Sequence, residues 1–207
     1  MKLQAAIDRV SLDQAVYLAH ALDGVVDIVE LGTSIPKDFG LKTLNERGVA
    51  LTQSELLIDL KTIDEGVYEF TKGFELPADI LTVMASASID TIEQVYALSE
   101  KLGRQTFIDL LEVSDDQIAR LTHLNHAIFG LHHSKDTGGN FDAVASVAQF
   151  HAAFPNVEHI AVAGGINVSQ AAKLAEQGIV EIAIVGGKIA GADDPVAAAK
   201  EFMEVIK

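Results

Sequence analysis

Apolar positions along the chain follow two alternating patterns. Short runs of β-branched and other apolar residues are separated by longer stretches in which apolar residues recur at helical spacing. The short runs predict strands at 3–7, 25–31, 54–59, 80–84, 106–110, 126–131, 159–163 and 181–185. The longer stretches predict helices at 12–22, 91–101, 141–154, 168–176 and 195–206, and a further helix from about Asp64. Asp193 and Asp194 before Pro195 form an N-terminal cap pattern for the helix at 195–206. This alternation is typical of repeated βα units.

Eight βα units in 207 residues predict an α/β fold with one domain, 1–207, at the compact end of the (β/α)8 barrel range. A doubly wound open sheet is the alternative. The barrel is favoured because its strand ends converge on one face. Charged residues, a histidine or glycines stand at the end of almost every predicted strand: Asp8, Glu30, Asp59, Asp109, His132, Gly164 and Gly186.

The amino-acid composition and net charge exclude several classes of function. The chain has 30 acidic and 15 basic residues, a net charge of -15, and 49% hydrophobic residues. Such a charge repels nucleic acid and anionic membranes, so neither is expected as a partner. Without cysteine, disulfides, thiolate metal sites and a cysteine nucleophile are excluded. The first ten residues are too charged for a signal peptide, and no apolar run approaches the ~18 residues of a membrane span. We expect a cytoplasmic protein.

The run from Asp59 to Asp64 has the pattern D-x-K-x-x-D at the end of the third predicted strand. Side chains two residues apart in a strand point to the same side, so Asp59 and Lys61 are expected to form a close pair. Burying a group of charges at the end of an apolar strand costs free energy unless water solvates the charges or they bind a partner. The alternative is a solvated strand end in which Asp64 caps the next helix.

Glu30 interrupts the second predicted strand one step before a turn. On its own, it is more often the partner of a buried Lys or Arg. Together with Asp59 on the neighbouring strand, it supplies two carboxylates about 5 Å apart, which repel each other unless a cation lies between them. Oxygen ligands completed by water or substrate suit Mg²⁺. The histidines do not have the spacing of a zinc site.

A polar run follows the sixth predicted strand and contains His132, His133 and Lys135 before Thr137 and two glycines. Histidine is the natural proton carrier near neutral pH, so His132 is a candidate general acid or base. A capping or packing role is the alternative for a single histidine. The loop that follows this run, Thr137 to Gly139, is also a candidate lid.

Two glycine pairs follow the last two predicted strands, Gly164 with Gly165 and Gly186 with Gly187. Glycines let backbone N–H groups approach an anion closely, and the loops after strands seven and eight of a barrel often bind phosphate. Either pair alone is common in ordinary turns. At these two positions together they predict a phosphorylated substrate, with Lys188 and Lys135 as additional contacts.

The chain resembles the orotidine monophosphate decarboxylase suprafamily over essentially its full length. The resemblance rests on the runs 2–8, 26–33, 59–64, 162–166 and 185–187. It implies a barrel that forms a Mg²⁺-stabilised enediolate (Mn²⁺ being possible) on a pentulose phosphate, in a homodimer with shared active sites. By position, the resemblance implies that Glu30 and Asp59 bind the metal. Lys61 would neutralise the enediolate oxygen, and His132 would transfer protons. Asp64 would enter the partner's active site, and Asp8 and Asp109 match further charged strand ends.

The resemblance extends to two branches of the suprafamily, the hexulose-6-phosphate synthases and the 3-keto-L-gulonate-6-phosphate decarboxylases. The decarboxylases have arginines after strands six and eight that this chain lacks, and Lys does not replace bidentate Arg equivalently. Asp109, the 59–64 run and the 163–165 run favour the synthases, although Ser134 stands where these usually have Gly. We therefore expect the aldol reaction with formaldehyde, with decarboxylation as the alternative. A barrel that binds sugar phosphate without turnover is the third hypothesis.

Overall fold

The eight strands found in residues 1–133 and 142–207, the parts of the chain that this computed structural model describes, form one closed parallel barrel. The strands follow each other around the barrel in chain order, and β1 (Lys2–Ile7) also pairs with β8 (Ile182–Val185). This pairing closes the sheet. The prediction of a (β/α)8 barrel is confirmed, and the open-sheet alternative is wrong.

The remaining strands are close to their predicted positions. They are β2 (Ile28–Leu31), β3 (Glu55–Thr62), β4 (Ile80–Met84), β5 (Gln105–Asp109), β6 (Ile128–His132) and β7 (Ile160–Ala163). The helices are α1 (Leu12–Leu22), α2 (Ser34–Phe39), α3 (Leu41–Arg47), α4 (Gly66–Phe74), α5 (Ile89–Leu102), α6 (Asp115–Ala119), α7 (Ala143–Ala153), α8 (Val168–Gln177), α9 (Gly187–Ala190) and α10 (Pro195–Ile206). The helical pattern did not reveal α2, α3, α6 and α9 because they have seven residues or fewer, too short for the spacing to repeat.

Helix starts follow simple capping chemistry. The α10 helix begins as predicted, with Asp194 accepting a hydrogen bond from the Ala197 amide and Pro195 in the first turn. Ser11 and Ser88 cap α1 and α5 in the same way. Within the described ranges, no helix is both long and apolar enough to cross a membrane.

The apolar core has two layers. The inner layer fills the barrel with strand residues, which are Ile28, Leu57, Ile80, Phe107, Ile128, Ala161 and Ile182. The outer layer lies between the strands and the helices and includes Leu31, Phe70 and Leu174. Because the inner layer closes the barrel below its upper rim, polar side chains at the C-terminal strand ends face a cavity above this layer.

Strand β3 continues three residues past its predicted end. Its pairing with β4 is irregular between Ile58 and Thr62, where β3 has additional residues, and Lys61 has a positive φ of 50°. The next helix begins at Gly66, two residues later than predicted. Glu65, not Asp64, occupies the cap position, and no side-chain capping bond forms there. The interpretation of Asp64 as a helix cap is therefore wrong.

Candidate active site

A cavity of about 850 Å³ opens at the C-terminal ends of the strands. Its floor includes Gln4, Leu57, Phe107 and Ile184. All but two of the predicted site residues line it: Asp8, Glu30, Asp59, Lys61, Asp109, His132, Gly164, Gly165, Gly186, Gly187 and Lys188. Of the two others, Lys135 lies outside the described residues, as do Thr137 and the glycines of the predicted lid. Asp64 is exposed and does not line this cavity.

Lys61 joins two carboxylates from different strands. Its Nζ lies 2.5 Å from Asp109 Oδ2 and 3.2 Å from Asp59 Oδ2. Burial opposes the charged amine, but the two carboxylates outweigh burial and raise the pKa of Lys61 above its ordinary value. The pairing of Lys61 with Asp59 is the one predicted from strand alternation. The contact with Asp109 places a fixed positive charge in the wall of the cavity.

Asp59 is held by hydroxyl groups as well as by Lys61. Thr33 donates a short hydrogen bond to Asp59 Oδ2, and Thr82 donates one of 2.7 Å to Asp59 Oδ1. The residue is nearly buried, at 6% exposure. Buried charge persists only when it is paired and hydrogen-bonded, and here both carboxylate oxygens have donors. Sequence reasoning missed Thr33 and Thr82 because their role depends on contacts between neighbouring strands.

Asp109 connects Lys61 to His132. His132 Nδ1 lies 3.0 Å from Asp109 Oδ2, the oxygen that also accepts from Lys61. Burial alone would raise the pKa of Asp109, but the hydrogen bond with His132 and the charge of Lys61 together lower it. The ionised carboxylate favours the tautomer in which Nδ1 carries the proton. The Nε2 atom of His132 is then the nitrogen that exchanges protons with a bound molecule.

Glu30 lies at the base of the cavity with a high pKa. Its Oε2 accepts a 2.7 Å hydrogen bond from Gln4 Nε2. Burial, followed by the negative charge of Asp59, raises the pKa of Glu30 to about 8. The Oε1 atom of Gln4 is also buried and has no hydrogen-bond partner among the described residues. Two close carboxylates and an unpaired carbonyl oxygen favour a small hard cation such as Mg²⁺ between them.

The donor set for such a cation is small. Within residues 1–133 and 142–207, no group of three or more His, Asp and Glu side chains forms a metal cage. Glu30 and Asp59 would therefore hold an ion with help from water or substrate oxygens. That arrangement is usual for Mg²⁺, which keeps part of its hydration shell when protein carboxylates bind it.

Asp8 fastens the loop after β2. Its Oδ1 accepts hydrogen bonds from the Ser34 amide at 3.0 Å and from the Ser34 hydroxyl at 2.7 Å. Its carboxylate lies so close to Gly32 that a side chain at this glycine would collide with it. Asp8 thus lines the cavity as predicted, while one of its oxygens holds the start of α2.

The glycine pairs form the opposite wall of the cavity. Gly164 and Gly165 have φ values of 134° and 68°, in the left-handed region that favours glycine. A methyl group added at Gly165 or Gly187 would meet no atom within 4 Å. The backbone here borders open space, which is the geometry that an anion needs. Two further basic side chains, Arg9 and Lys37, line this cavity. They were not predicted because they lie outside the strand-end motifs.

Three comparisons place this geometry among known proteins. A family model described as "Orotidine 5'-phosphate decarboxylase / HUMPS family" matches residues 1–202. The chain belongs to this family. The resemblance stated from the sequence is therefore confirmed at the level of the family.

Relatives from this family cover nearly the whole chain. The 3-hexulose-6-phosphate synthase of Methylomonas aminofaciens is 33% identical over 210 residues, covering 99% of this chain and 98% of its own. A crystal structure of a 3-hexulose-6-phosphate synthase has a TM-score of 0.88 at 33% identity and full coverage of both chains. A 3-keto-L-gulonate-6-phosphate decarboxylase from Vibrio cholerae has a TM-score of 0.82 at 26% identity, with 99% and 96% covered.

Proposed function

We propose that this chain is a lyase of the 3-hexulose-6-phosphate synthase type, which joins formaldehyde to D-ribulose 5-phosphate. The observation that carries the proposal is the chain of contacts from Asp59 through Lys61 and Asp109 to His132 at one wall of the cavity. This wall offers a fixed positive charge beside a proton carrier. An enediolate needs both of these groups, because negative charge develops on oxygen while a proton leaves carbon. Full-length similarity to named synthases supports the same reaction.

The residues divide the work between the two walls. The amides around the glycine pairs 164–165 and 186–187, together with Lys188, hold the phosphate. Lys61 stabilises the enediolate oxygen, and His132 takes the proton from carbon 1 of the ketose. Carbon 1 then forms a bond to the formaldehyde carbon as the carbonyl π bond of formaldehyde breaks, and His132 returns its proton to the resulting alkoxide oxygen. Substrate and formaldehyde are thereby combined without loss of atoms.

Mg²⁺, with Mn²⁺ as a substitute, is part of this proposal. Glu30 and Asp59 would hold the ion, and when bound it would supply further positive charge to the substrate oxygens. The unpaired Gln4 Oε1 and the repulsion between the Glu30 and Asp59 carboxylates, which a cation would relieve, support an ion at this position. The expected cytoplasmic location stays a prediction from the sequence.

A homodimer with shared sites also belongs to the proposal. Asp64 is exposed, and three apolar side chains beside it are exposed as well: Ile63 at 53%, Val67 at 43% and Tyr68 at 62%. A second copy that covers this patch would bring Asp64 into the partner's cavity. Mixing an Asp64→Asn variant with a Lys61→Met variant should then restore about a quarter of wild-type activity, because half of the dimers are mixed and each has one intact site. Absence of any recovery after subunit exchange would contradict the shared site.

Decarboxylation of 3-keto-L-gulonate 6-phosphate is the second candidate. It is favoured by the similarity to the Vibrio cholerae decarboxylase and by the fact that loss of CO₂ leaves the same type of enediolate. The purified protein should be incubated with Mg²⁺ and each substrate set, while formaldehyde consumption and CO₂ release are followed in parallel. We expect formaldehyde consumption to dominate. Dominant CO₂ release would support the decarboxylase, and no turnover in either assay would support a binding protein.

A further inference from the structure

We infer that Thr82 is a positioning residue for this reaction, because its single hydroxyl group sets the placement of both Lys61 and Asp59. Thr82 is on β4 and is only 3% exposed. Its Oγ1 accepts a 2.9 Å hydrogen bond from the Lys61 backbone amide and donates one of 2.7 Å to Asp59 Oδ1. The inference rests on the proposed function, since it concerns the same wall of the cavity.

The backbone geometry explains why a side chain is needed here. Ile58 of β3 pairs with Leu81 of β4, and Thr62 pairs with Val83. Three residues of β3, 59–61, therefore lie opposite Thr82 alone. At such a bulge the regular ladder of backbone hydrogen bonds is interrupted. The Lys61 amide bonds instead to the hydroxyl group of Thr82.

The same bulge determines where Lys61 points. Its φ of 50° is unusual for a residue with a side chain, and such backbone conformations persist only when their surroundings hold them. Because the one hydroxyl proton of Thr82 is donated to Asp59, its lone pairs are left for the Lys61 amide. A single group thereby fixes the backbone of Lys61 and the carboxylate of Asp59 relative to each other.

Loss of the Thr82 hydroxyl group is expected to affect turnover more than the binding of the sugar phosphate. The glycine pairs that hold the phosphate are on β7 and β8 loops across the cavity, away from β4. Loss of the Thr82 hydroxyl should therefore lower kcat and weaken metal binding while KM for the sugar phosphate changes little. A residue with only a packing role would lower stability without this division between kcat and KM.

Three variants test the inference. Thr82→Val keeps the shape and removes the hydroxyl, and Thr82→Ser restores the hydroxyl. Thr106→Val is the matched control, since Thr106 is equally buried on the neighbouring β5 strand but donates to Ser99 Oγ and does not line the cavity. For each, kcat and KM, the Mg²⁺ affinity of the metal-free protein by calorimetry, and Tm should be measured.

We expect Thr82→Val to lose about 100-fold in kcat and about 10-fold in Mg²⁺ affinity, the range found when groups that orient metal ligands are removed. Its KM should stay within about threefold of wild type. Thr82→Ser should recover most of kcat, and Thr106→Val should lower Tm while kcat stays unchanged. Wild-type kcat and Mg²⁺ affinity in folded Thr82→Val would overturn the inference. An equal kcat loss in Thr106→Val would also overturn it.

The wild-type protein in the same assays separates this inference from the proposed function. A wild type that turns over neither sugar phosphate would overturn the proposed function. Mg²⁺ titration of the same three variants would then decide on Thr82 without reference to turnover.

Discussion

Each end of the barrel has a cluster in which one lysine lies between two carboxylates and a histidine contacts one of them. At the N-terminal end, Lys2 Nζ lies 3.4 Å from Glu55 Oε2 and 3.5 Å from Glu181 Oε1. His159 Nδ1 lies 2.6 Å from Glu181 Oε2. The C-terminal end repeats this connectivity with Lys61 between Asp59 and Asp109, and with His132 on Asp109.

Burial separates the two sets. The Lys2 and Glu55 side chains are each 40% exposed, whereas those of Lys61 and Asp109 are 20% and 4% exposed. Water solvates and screens the first set, so its ion pairs contribute little. In the second set, protein hydroxyl groups replace water, and charge acts strongly on whatever enters the cavity. Residue types alone therefore do not distinguish a cluster of surface ion pairs from a candidate catalytic centre.

The largest expected difference between the two ends is in turnover. Lys61→Met should lower kcat by about a thousandfold, because a preorganised positive charge on a developing oxyanion contributes on that order. Lys2→Met should leave kcat within about twofold, since its charge lies at the other end of the barrel. Steady-state kinetics with circular dichroism as a folding check measures both. Equal effects of the two substitutions would show that the charge of Lys61 has no special role in turnover.

The second expected difference concerns the carboxylate that links lysine to histidine. Asp109→Asn should lower kcat by about a hundredfold, because His132 loses the acceptor that favours its Nδ1–H tautomer and Lys61 loses a charge partner. Glu181→Gln makes the corresponding change at the exposed end and should leave kcat unaltered. A pH profile of kcat should change in shape for Asp109→Asn alone. An unchanged profile would show that the link has no part in proton transfer.

The raised pKa of Glu30 should make the stability of the protein depend on pH. In the metal-free protein, the unfolded chain releases this proton near its ordinary pKa, while the folded protein keeps it until about pH 8. The free energy of unfolding should therefore fall as pH rises from about 4.5 to about 8 and level off above that range. Urea unfolding of wild type and Glu30→Gln at several pH values measures the effect, which the variant should lose. Glu55→Gln, from the exposed end, should retain it.

Metal binding should depend on the protonation of the same carboxyl group. Because a bound cation requires ionised Glu30, the apparent Mg²⁺ affinity should rise with pH up to about 8, by at most about tenfold for each pH unit. Calorimetric titration at pH 6, 7 and 8 measures this rise. An affinity independent of pH would place the ion away from Glu30.

The smallest expected effect is the contribution of the exposed end to stability. Lys2→Met should lower the free energy of unfolding by less than about 1 kcal/mol, the usual range for surface ion pairs, and less still at high salt. Chemical unfolding at low and high NaCl measures it. A larger loss that persists at high salt would show that Lys2 stabilises the fold by more than exposed ion pairs.

Some parts of the fold and the site could be predicted, and others could not, for identifiable reasons. The strands were recognisable because each is a short apolar run, and Asp194 with Pro195 marked the start of α10. The bulge in β3 could not be recognised from the sequence. Leu60 continues the apolar pattern of the strand, whereas the backbone departs from regular pairing at Lys61. Thr82 was missed for a related reason, since an ordinary threonine in a strand carries no motif.

The sequence by itself determined the order of the eight strands, the family, and the face of the barrel on which charged residues and glycines gather. Those properties follow from hydrophobic period and from motifs of a few residues. Only the tertiary structure decided that Lys61 contacts Asp109, 48 residues away, and that burial raises the pKa of Glu30. Barrel closure brings distant strand ends within bonding distance and removes water from them, and a local pattern specifies neither of these effects.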